Sequence, residues 1–386
     1  MRIAVNMRLV LPGRMDGIGW FAYETTRRMV ALHPEHRFLL IFDRKVDIHG
    51  QSDAAEGLRQ MLALDNVEHA VLCPQARHPV LWRMFFDISV PMALRRWKAD
   101  ALLSPDGMMP LHPHVPVLDV IHDLNFEHAD DNLKPSHQRY MKRYTPLYAQ
   151  RATRVATVSE YSKGDLAATY GLPVAKVDVV YDGAHDRYRP HTAAECEATR
   201  RRFTGGKPYI IFVSTILKRK NLATLLRAFD MVKDDDHSGL RLVVVGNRVW
   251  WKDELRDAYD TMRHRDDVVL MGRAEPTDLA ALLSASEALV YPSLFEGFGI
   301  PILEAMYAET AVVCSNTTSM PEVGGDAAEY VDPTSDADVA RGIRAVLQPG
   351  RRAALIECGR MQRTRYSWDH TAALLWQSLE KMMANE

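Results

Sequence analysis

Two glutamates stand eight positions apart in "SLFEGFGIPILEAM", residues 293–306, and most of what separates Glu296 from Glu304 is glycine or apolar. The run before them, "ALVYPS" (288–293), reads as a buried strand, so Glu296 falls just past a strand's carboxyl end. Gly297 and Gly299 allow the backbone to turn sharply and approach a ligand. Pro301 suits the first turn of a helix, where its missing N–H would have had no partner. The amides of Phe298, Gly299 and Ile300 are then expected to point out of a helix N-terminus as an anion site. Glu304 lies about one turn inside that helix, where the dipole favours a carboxylate. Two carboxylates repel a phosphate unless each faces something else, and the hydroxyls of a sugar and a ribose at its two ends are the natural candidates. The plainer alternative is a solvated Glu296 and a Glu304 that only complements the dipole.

Phosphates also require cations. In "FVSTILKRKNL" the triplet Lys218, Arg219 and Lys220 follows the strand "YIIFVS" (209–214), again at a carboxyl end and in the same half of the chain. A solvated basic loop is the other reading. The N-terminal half has "DGIGWFAYE" (16–24), where Gly17, Ile18 and Gly19 either open a helix with free amides or form the G-x-G-x-x-A of a dinucleotide fold, with Asp43 ending the next strand. Ten residues between the first strand and Gly17 argue against the tight dinucleotide turn. "VIHDLNF" (120–126) ends a long apolar strand with His122 and Asp123, and a histidine there can accept a hydrogen bond from a sugar hydroxyl or donate one. "DDD" (234–236) contains a D-x-D string, but no strand precedes it and a solvated loop is expected; no histidine spacing suggests a metal site.

The elements that must position these residues are legible as alternating apolar runs and helical patterns. Strands are expected at 2–6, 37–43, 101–104, 115–123, 154–159 and 177–183, and after a restart near 205 at 209–214, 240–246, 268–272, 288–293 and 310–316. These β-branched runs suit parallel strands covered on both faces. In "NLATLLRAFDMV", Leu222, Leu225, Leu226, Phe229 and Val232 mark a buried helix face. The pattern predicts an α/β chain of two doubly wound Rossmann-like domains facing a central cleft, 1–200 and 205–364, divided in "RRRFTGGKP" (200–208), with a final amphipathic helix in 365–386. The stretch 78–98 mixes aromatics with Arg83, Arg95, Arg96 and Lys98. It reads either as a domain helix broken at Pro91 or as a peripheral surface for an anionic membrane or lipid-linked acceptor.

The 386 residues are 47% hydrophobic and 25% charged with a net charge of -2, which excludes extended disorder and a strongly basic nucleic-acid footprint. No apolar run is long enough to span a bilayer. The N-terminus, broken by Asn6 and Arg8, does not read as a signal peptide. Cys73, Cys196, Cys314 and Cys358 form no C-x-x-C pair and read as reduced thiols of a cytoplasmic protein.

Taken in order, "VSTILKRKNL", "YPSLFEGFGIPILEAM" and "SNTTSMPEVGGDAAEYVDP" (315–333) resemble glycosyltransferase family 4, whose members have the GT-B fold. The resemblance implies retaining, metal-independent transfer of a hexose from a nucleotide-diphosphate sugar, without a further cofactor. The acceptor is a glycan or lipid-linked glycan of polysaccharide biosynthesis, and the donor stays open between GDP-mannose and UDP-sugars. By that resemblance Glu296 meets the donor sugar, Glu304 the ribose, and Arg219 with Lys220 the leaving diphosphate. Ser214, Phe298, Gly299, Ile300 and Leu303 complete the donor side; Gly17 to Gly19, His122 and Asp123 supply the phosphate loop and the acceptor side. Glu296, His122 and Lys220 are the expected catalytic set. The chain departs from the family at Thr215, where many relatives have arginine, and in "YAETAV" (307–312), where Glu309 replaces a glycine. The last helix is implied to cross back onto the N-terminal domain. A catalytically idle sugar-nucleotide binder and a nicotinamide-dependent oxidoreductase are the alternatives.

Overall fold

The computed structural model describes residues 1–50, 52–128, 134–235 and 239–384. The chain divides into two compact units, one of Met1–Glu127, Leu133–Gly183 and Trp368–Glu386, the other of His128–Asn132 and Ala184–Ser367.

The first unit carries seven parallel strands: β1 (Arg2–Asn6), β2 (Arg37–Phe42), β3 (Val67–Val71), β4 (Ala101–Ser104), β5 (Val117–Val120), β6 (Arg154–Thr157) and β7 (Val177–Val179). Their order is β3-β2-β1-β4-β5-β6-β7. The second unit carries six, β8 (Tyr209–Val213), β9 (Arg241–Val245), β10 (Val268–Gly272), β11 (Ala288–Tyr291), β12 (Ala311–Ser315) and β13 (Ala328–Val331), in the order β10-β9-β8-β11-β12-β13. Central strands such as β4, β5, β8 and β12 are buried along their whole length, which is why they read as largely apolar runs, with Asp119 of β5 a buried exception. β3 and β13 are edge strands that the apolar pattern did not announce, because "VEHAV" and "AEYV" keep part of their length in water. The order reverses between β1 and β4 in one sheet and between β8 and β11 in the other. At such reversals the crevice beyond the strand ends is open to a ligand.

The second unit starts at Ala184, ahead of the 200–208 stretch expected to divide the chain. The helix Ala193–Thr204 is the reason. It packs on the helix Pro276–Ala285, and Arg200 donates to the Ala285 carbonyl and pairs with Glu287, each at 2.9 Å. Gly205, in left-handed conformation, ends that helix inside the second unit.

Pro91 does not break the segment 78–98. Helix runs from Pro79 to Met84, widens into a π turn over Phe85–Ser89, and continues from Val90 to Trp97. In the π turn Val90 N–H donates to the Phe85 carbonyl, five residues back, so the backbone has already left the pattern that proline would disrupt.

The helix Trp368–Ala384 belongs to the first unit, where it packs on the helix Gly17–Leu32. Trp376 stacks on His33 at 3.6 Å between centroids, and Ser378 donates to Asp178 at 2.5 Å. The backbone of Gly183 passes so close to Trp368 that a Cβ would lie 2.4 Å from its amide nitrogen, leaving room for glycine alone. Among the described residues no helix is long and apolar enough to cross a membrane. Trp376 is buried, so Trp376→Ala is expected to destabilise the first unit by about 3 kcal/mol. Urea unfolding with an unchanged midpoint would show that this helix does not hold the unit together.

Candidate functional site

In the second unit the loops after β8 and β11, strands paired at the reversal of order, are joined by backbone and side chain alike. Leu294 N–H donates to the Arg219 carbonyl at 2.7 Å. Asn221, in left-handed conformation, donates to the Pro292 carbonyl at 3.0 Å and the Pro333 carbonyl at 2.7 Å. This stitching brings Lys220 and Arg219 against Glu296. Lys220 Nζ donates to Glu296 Oε1 at 2.6 Å and to the Tyr291 hydroxyl at 2.8 Å. The Tyr291 hydroxyl in turn donates to Glu296 Oε1 at 2.9 Å, and Arg219 lies 3.3 Å from Oε2. Glu296 is only 6% exposed. Burial alone would raise its pKa, but the Lys220 ammonium and Arg219 guanidinium outweigh it and hold the carboxyl at about 2. Burial and the Glu296 charge push the Tyr291 hydroxyl well above its usual range, so it stays a proton donor. Ser214, just past β8, lies near Tyr291 and exerts a smaller opposing pull on its hydroxyl. Thr215, one residue further, is exposed.

Gly299 caps the helix Ile300–Tyr307 at φ +99°, a conformation that glycine adopts without strain. The Ile302 amide bonds back to Gly299 O at 2.9 Å, and the amides of Gly299 and Ile300 have no protein acceptor among the described residues. Phe298 is buried edge-to-face on Tyr366, with ring centroids 5.5 Å apart, so only its backbone can face a ligand. Leu303 is fully buried, and its side chain belongs to the core rather than to the donor side. Glu304 keeps a small opening to solvent but is ringed by protein. Burial pushes it up to about 7, against the opposing pull of the nearby Tyr188 hydroxyl and of Arg187. Glu309 takes the left-handed position (φ +57°) that suits a glycine, and its carboxylate is held by Arg360 at 2.6 Å and Arg363 at 3.4 Å.

In the first unit His122 Nε2 lies 2.8 Å from the Pro105 carbonyl, and Phe21 packs edge-on against the ring at 4.9 Å. A carbonyl only accepts, so Nε2 carries a proton; burial lowers the imidazole pKa, which leaves Nδ1 as an acceptor at neutral pH. Asp123 caps the short helix Asn125–His128, accepting from the Asn125 amide at 3.0 Å. The glycine loop differs from expectation. Gly17 and Ile18 do open a helix, but Asp16 caps it and accepts from the Gly19 amide at 2.9 Å, so that amide is already bonded and a carboxylate stands beside the others. Asp43, the acidic residue of the dinucleotide alternative, is buried and held by Arg44 at 2.7 Å and by the Ala76 amide at 3.0 Å.

Sequence reasoning missed Tyr291, which bonds to Glu296, Tyr188, which lies near Glu304, and Asp16, although an aspartate directly before a helical pattern is a readable cap signal. Asp234 pairs with Arg263 at 2.6 Å and Asp235 with Arg344 at 3.2 Å; Asp236 lies outside the described residues. Among the described residues no three His, Cys, Asp or Glu side chains gather as a metal-ion set.

Two doubly wound units, with polar clusters at the strand ends, are the architecture of the GT-B glycosyltransferases. Sucrose-phosphate synthase of Thermosynechococcus elongatus matches with a TM-score of 0.77 over 100% of both chains at 15% identity. Anabaena Alr3699/HepE, solved with UDP and glucose, matches at 0.74 over 99% of this chain and 100% of that one, at 16% identity. At such identities the likeness shows the fold. In sequence, residues 15–187 match the model of Glycosyltransferase Family 4 and residues 197–362 that of Glycosyl transferases group 1. The two matches together make this chain a glycosyltransferase of the family 4 type. O-antigen chain mannosyltransferase B of Escherichia coli is 27% identical over 368 residues, 92% of this chain and 93% of that protein.

The two glutamates should leave opposite marks on stability. Glu296, held at about 2 against 4.5 for the free residue, contributes stability that is present above 4.5 and lost as pH falls towards 2. Acid unfolding is expected to show a loss on the order of 3 kcal/mol over that window, and Glu296→Gln to flatten it. Glu304, raised to about 7, weakens the fold as pH climbs from 4.5 through 7, a slope that Glu304→Gln removes. Profiles unchanged by either substitution would contradict these assignments.

Proposed function

We propose that this glycosyltransferase moves a hexose, with retention, from a nucleotide-diphosphate sugar to a glycan or lipid-linked glycan acceptor in polysaccharide biosynthesis. The observation that carries the reading is the Glu296–Lys220–Arg219 cluster beside the Gly299 and Ile300 amides, at the reversal of strand order. Cations and oriented amides together suit a departing diphosphate, whose developing charge they stabilise without reorganising. Lys220 and Arg219 are already aimed by Glu296, so the carboxylate acts first on their position. Its Oε2, 3.3 Å from Arg219, retains acceptor capacity for a sugar hydroxyl. Glu304 is the ribose acceptor on this reading. His122 Nδ1 positions a hydroxyl of the donor sugar or acceptor, with Asp123 beside it. No protein nucleophile is required if the acceptor hydroxyl attacks on the face that the diphosphate leaves.

The named activity of the Escherichia coli relative favours mannose, and with it a GDP-linked donor. HepE, solved with UDP and glucose, supports a UDP-sugar as the second reading.

Thermal unfolding with GDP, UDP, ADP and NAD, with and without magnesium, separates these readings. A nucleotide at a hundred times its dissociation constant stabilises by about 2.7 kcal/mol. One nucleoside diphosphate is expected to act without magnesium on the wild type and to lose its effect in Lys220→Ala. Stabilisation by NAD alone would overturn the reading.

Roles are divided by a second comparison. Glu304→Ala is expected to weaken nucleotide binding more than Glu296→Ala, while Glu296→Ala mainly lowers turnover. Equal loss of binding in both would contradict the assignment. Because a carboxylate accepts from ribose hydroxyls better than a carboxylic acid does, nucleotide affinity should also rise as pH passes through about 7, and Glu304→Gln should flatten that rise.

A further inference from the structure

The segment Pro79–Trp97 has two apolar faces. Its inner face, Trp82, Phe85, Phe86, Val90, Leu94 and Trp97, is part of the first unit's core. The outer face presents Val80, Met84, Ile88 and Met92, which are 61%, 42%, 53% and 63% exposed. Four large apolar side chains in one row are not the ordinary scatter of a soluble surface. The π turn keeps them in a row. In a regular α-helix each fourth residue advances ~40° around the axis, so such a series winds off the face. A wider turn advances less per residue, and placed over Phe85–Ser89 it counteracts the drift.

Cations flank the stripe. Arg77 precedes it and Arg95, Arg96 and Lys98 follow it, all exposed and with no ion-pair partner among the described residues. Arg83, on the flank of the same segment, is instead paired with Asp87. Beside Met92, between this helix and the edge strand β3, runs a groove of about 880 Å³ lined by Val71, Leu72, Met92 and Arg96. Its walls are largely apolar, with the Arg96 guanidinium among them and the Glu68 carboxylate, paired with Arg37, at its strand side.

We propose that Pro79–Trp97 is a docking face that seats the first unit on an anionic lipid bilayer. The apolar stripe enters the boundary between headgroups and acyl chains, and Arg77, Arg95, Arg96 and Lys98 meet lipid phosphates. Charge selects this occupant. A second copy of the chain packed symmetrically on the same face would bring these cations against each other, and a neutral partner would leave them unused. The docking explains how an enzyme with no spanning helix among its described residues meets a lipid-linked acceptor, and for that purpose alone it rests on the proposed function.

The test is co-sedimentation of the full chain with vesicles of phosphatidylcholine, and with vesicles of one part phosphatidylglycerol to two parts phosphatidylcholine. Binding to the anionic vesicles only, weakened by high salt, is expected. Ile88→Glu with Met92→Glu, and separately Arg95→Glu with Arg96→Glu, should each lower it by about ten-fold or more with unchanged thermal stability. Equal binding to both vesicle types, no binding to either, or a wild-type dimer that these variants dissociate would overturn the proposal. The nucleoside-diphosphate thermal shift should survive in all these variants, so a failure of docking and a failure of the transfer reading are seen separately.

Discussion

A carboxylate and an ammonium buried against each other hold the second unit's strand-end loops in place. Taking either ion out of water costs several kcal/mol, recovered only when the partner and the remaining hydrogen bonds are all present. Glu296 receives Lys220, Arg219 and Tyr291, and Tyr291 receives Lys220, so no member can be withdrawn without stranding another. The loops that carry them come from neighbouring strands, β8 and β11. Around them, hydroxyls take up carbonyls that neither helix nor sheet uses: Ser315 donates to Ser293 O at 2.6 Å, and Ser319 to Glu296 O at 2.9 Å and to Phe298 O at 3.0 Å. The charges are therefore fixed before any substrate arrives, which is the arrangement that makes electrostatic stabilisation effective.

The sequence made the centre of each sheet legible and one edge of each, β3 and β13, obscure, for one physical reason. A parallel strand buried on both faces must be apolar throughout, so β8, β11 and β12 stand out. β3 and β13, at the sheets' edges, mix Glu68, His69 and Glu329 into short runs that lose that signature. Much the same division applies to the site. Glu296, Lys220 and His122 stood out as candidates because they are polar residues in the stretches that follow apolar strands. Tyr291 was not, since a tyrosine ending "ALVY" looks like one more core residue until its hydroxyl is seen between two ions. Tyr188 lies in "AHDRYRP", where neither period nor motif sets it apart, and only the fold brings it to Glu304. The amides of Gly17 to Gly19 were over-read: glycines promise an open helix end, but Asp16 supplies the acceptor for Gly19 from within the same turn.

Leu303 and Glu309 show how far a motif constrains its neighbours. Leu303 sits between the two glutamate positions, yet like Phe298 and Ile302 it is core. It anchors the helix whose exposed end does the work. Glu309 occupies a left-handed position that a glycine would fill without strain, with Arg360 and Arg363 holding its carboxylate. The departure is thus absorbed at the far end of that helix, away from Gly299.

The helix Trp368–Ala384 has a consequence for how the chain is made. The second unit is, in chain order, an insertion within the first: residues 184–367 are synthesised before Trp368 exists to cover Gly183 or Trp376 to stack on His33. At ~5–20 residues per second the first unit waits roughly 10–40 s on the ribosome with that face uncovered. The second unit has all but a short piece of its chain in one continuous run and can close first. Synthesis thus reverses the order in which the two halves begin, and the half that starts earlier is completed last.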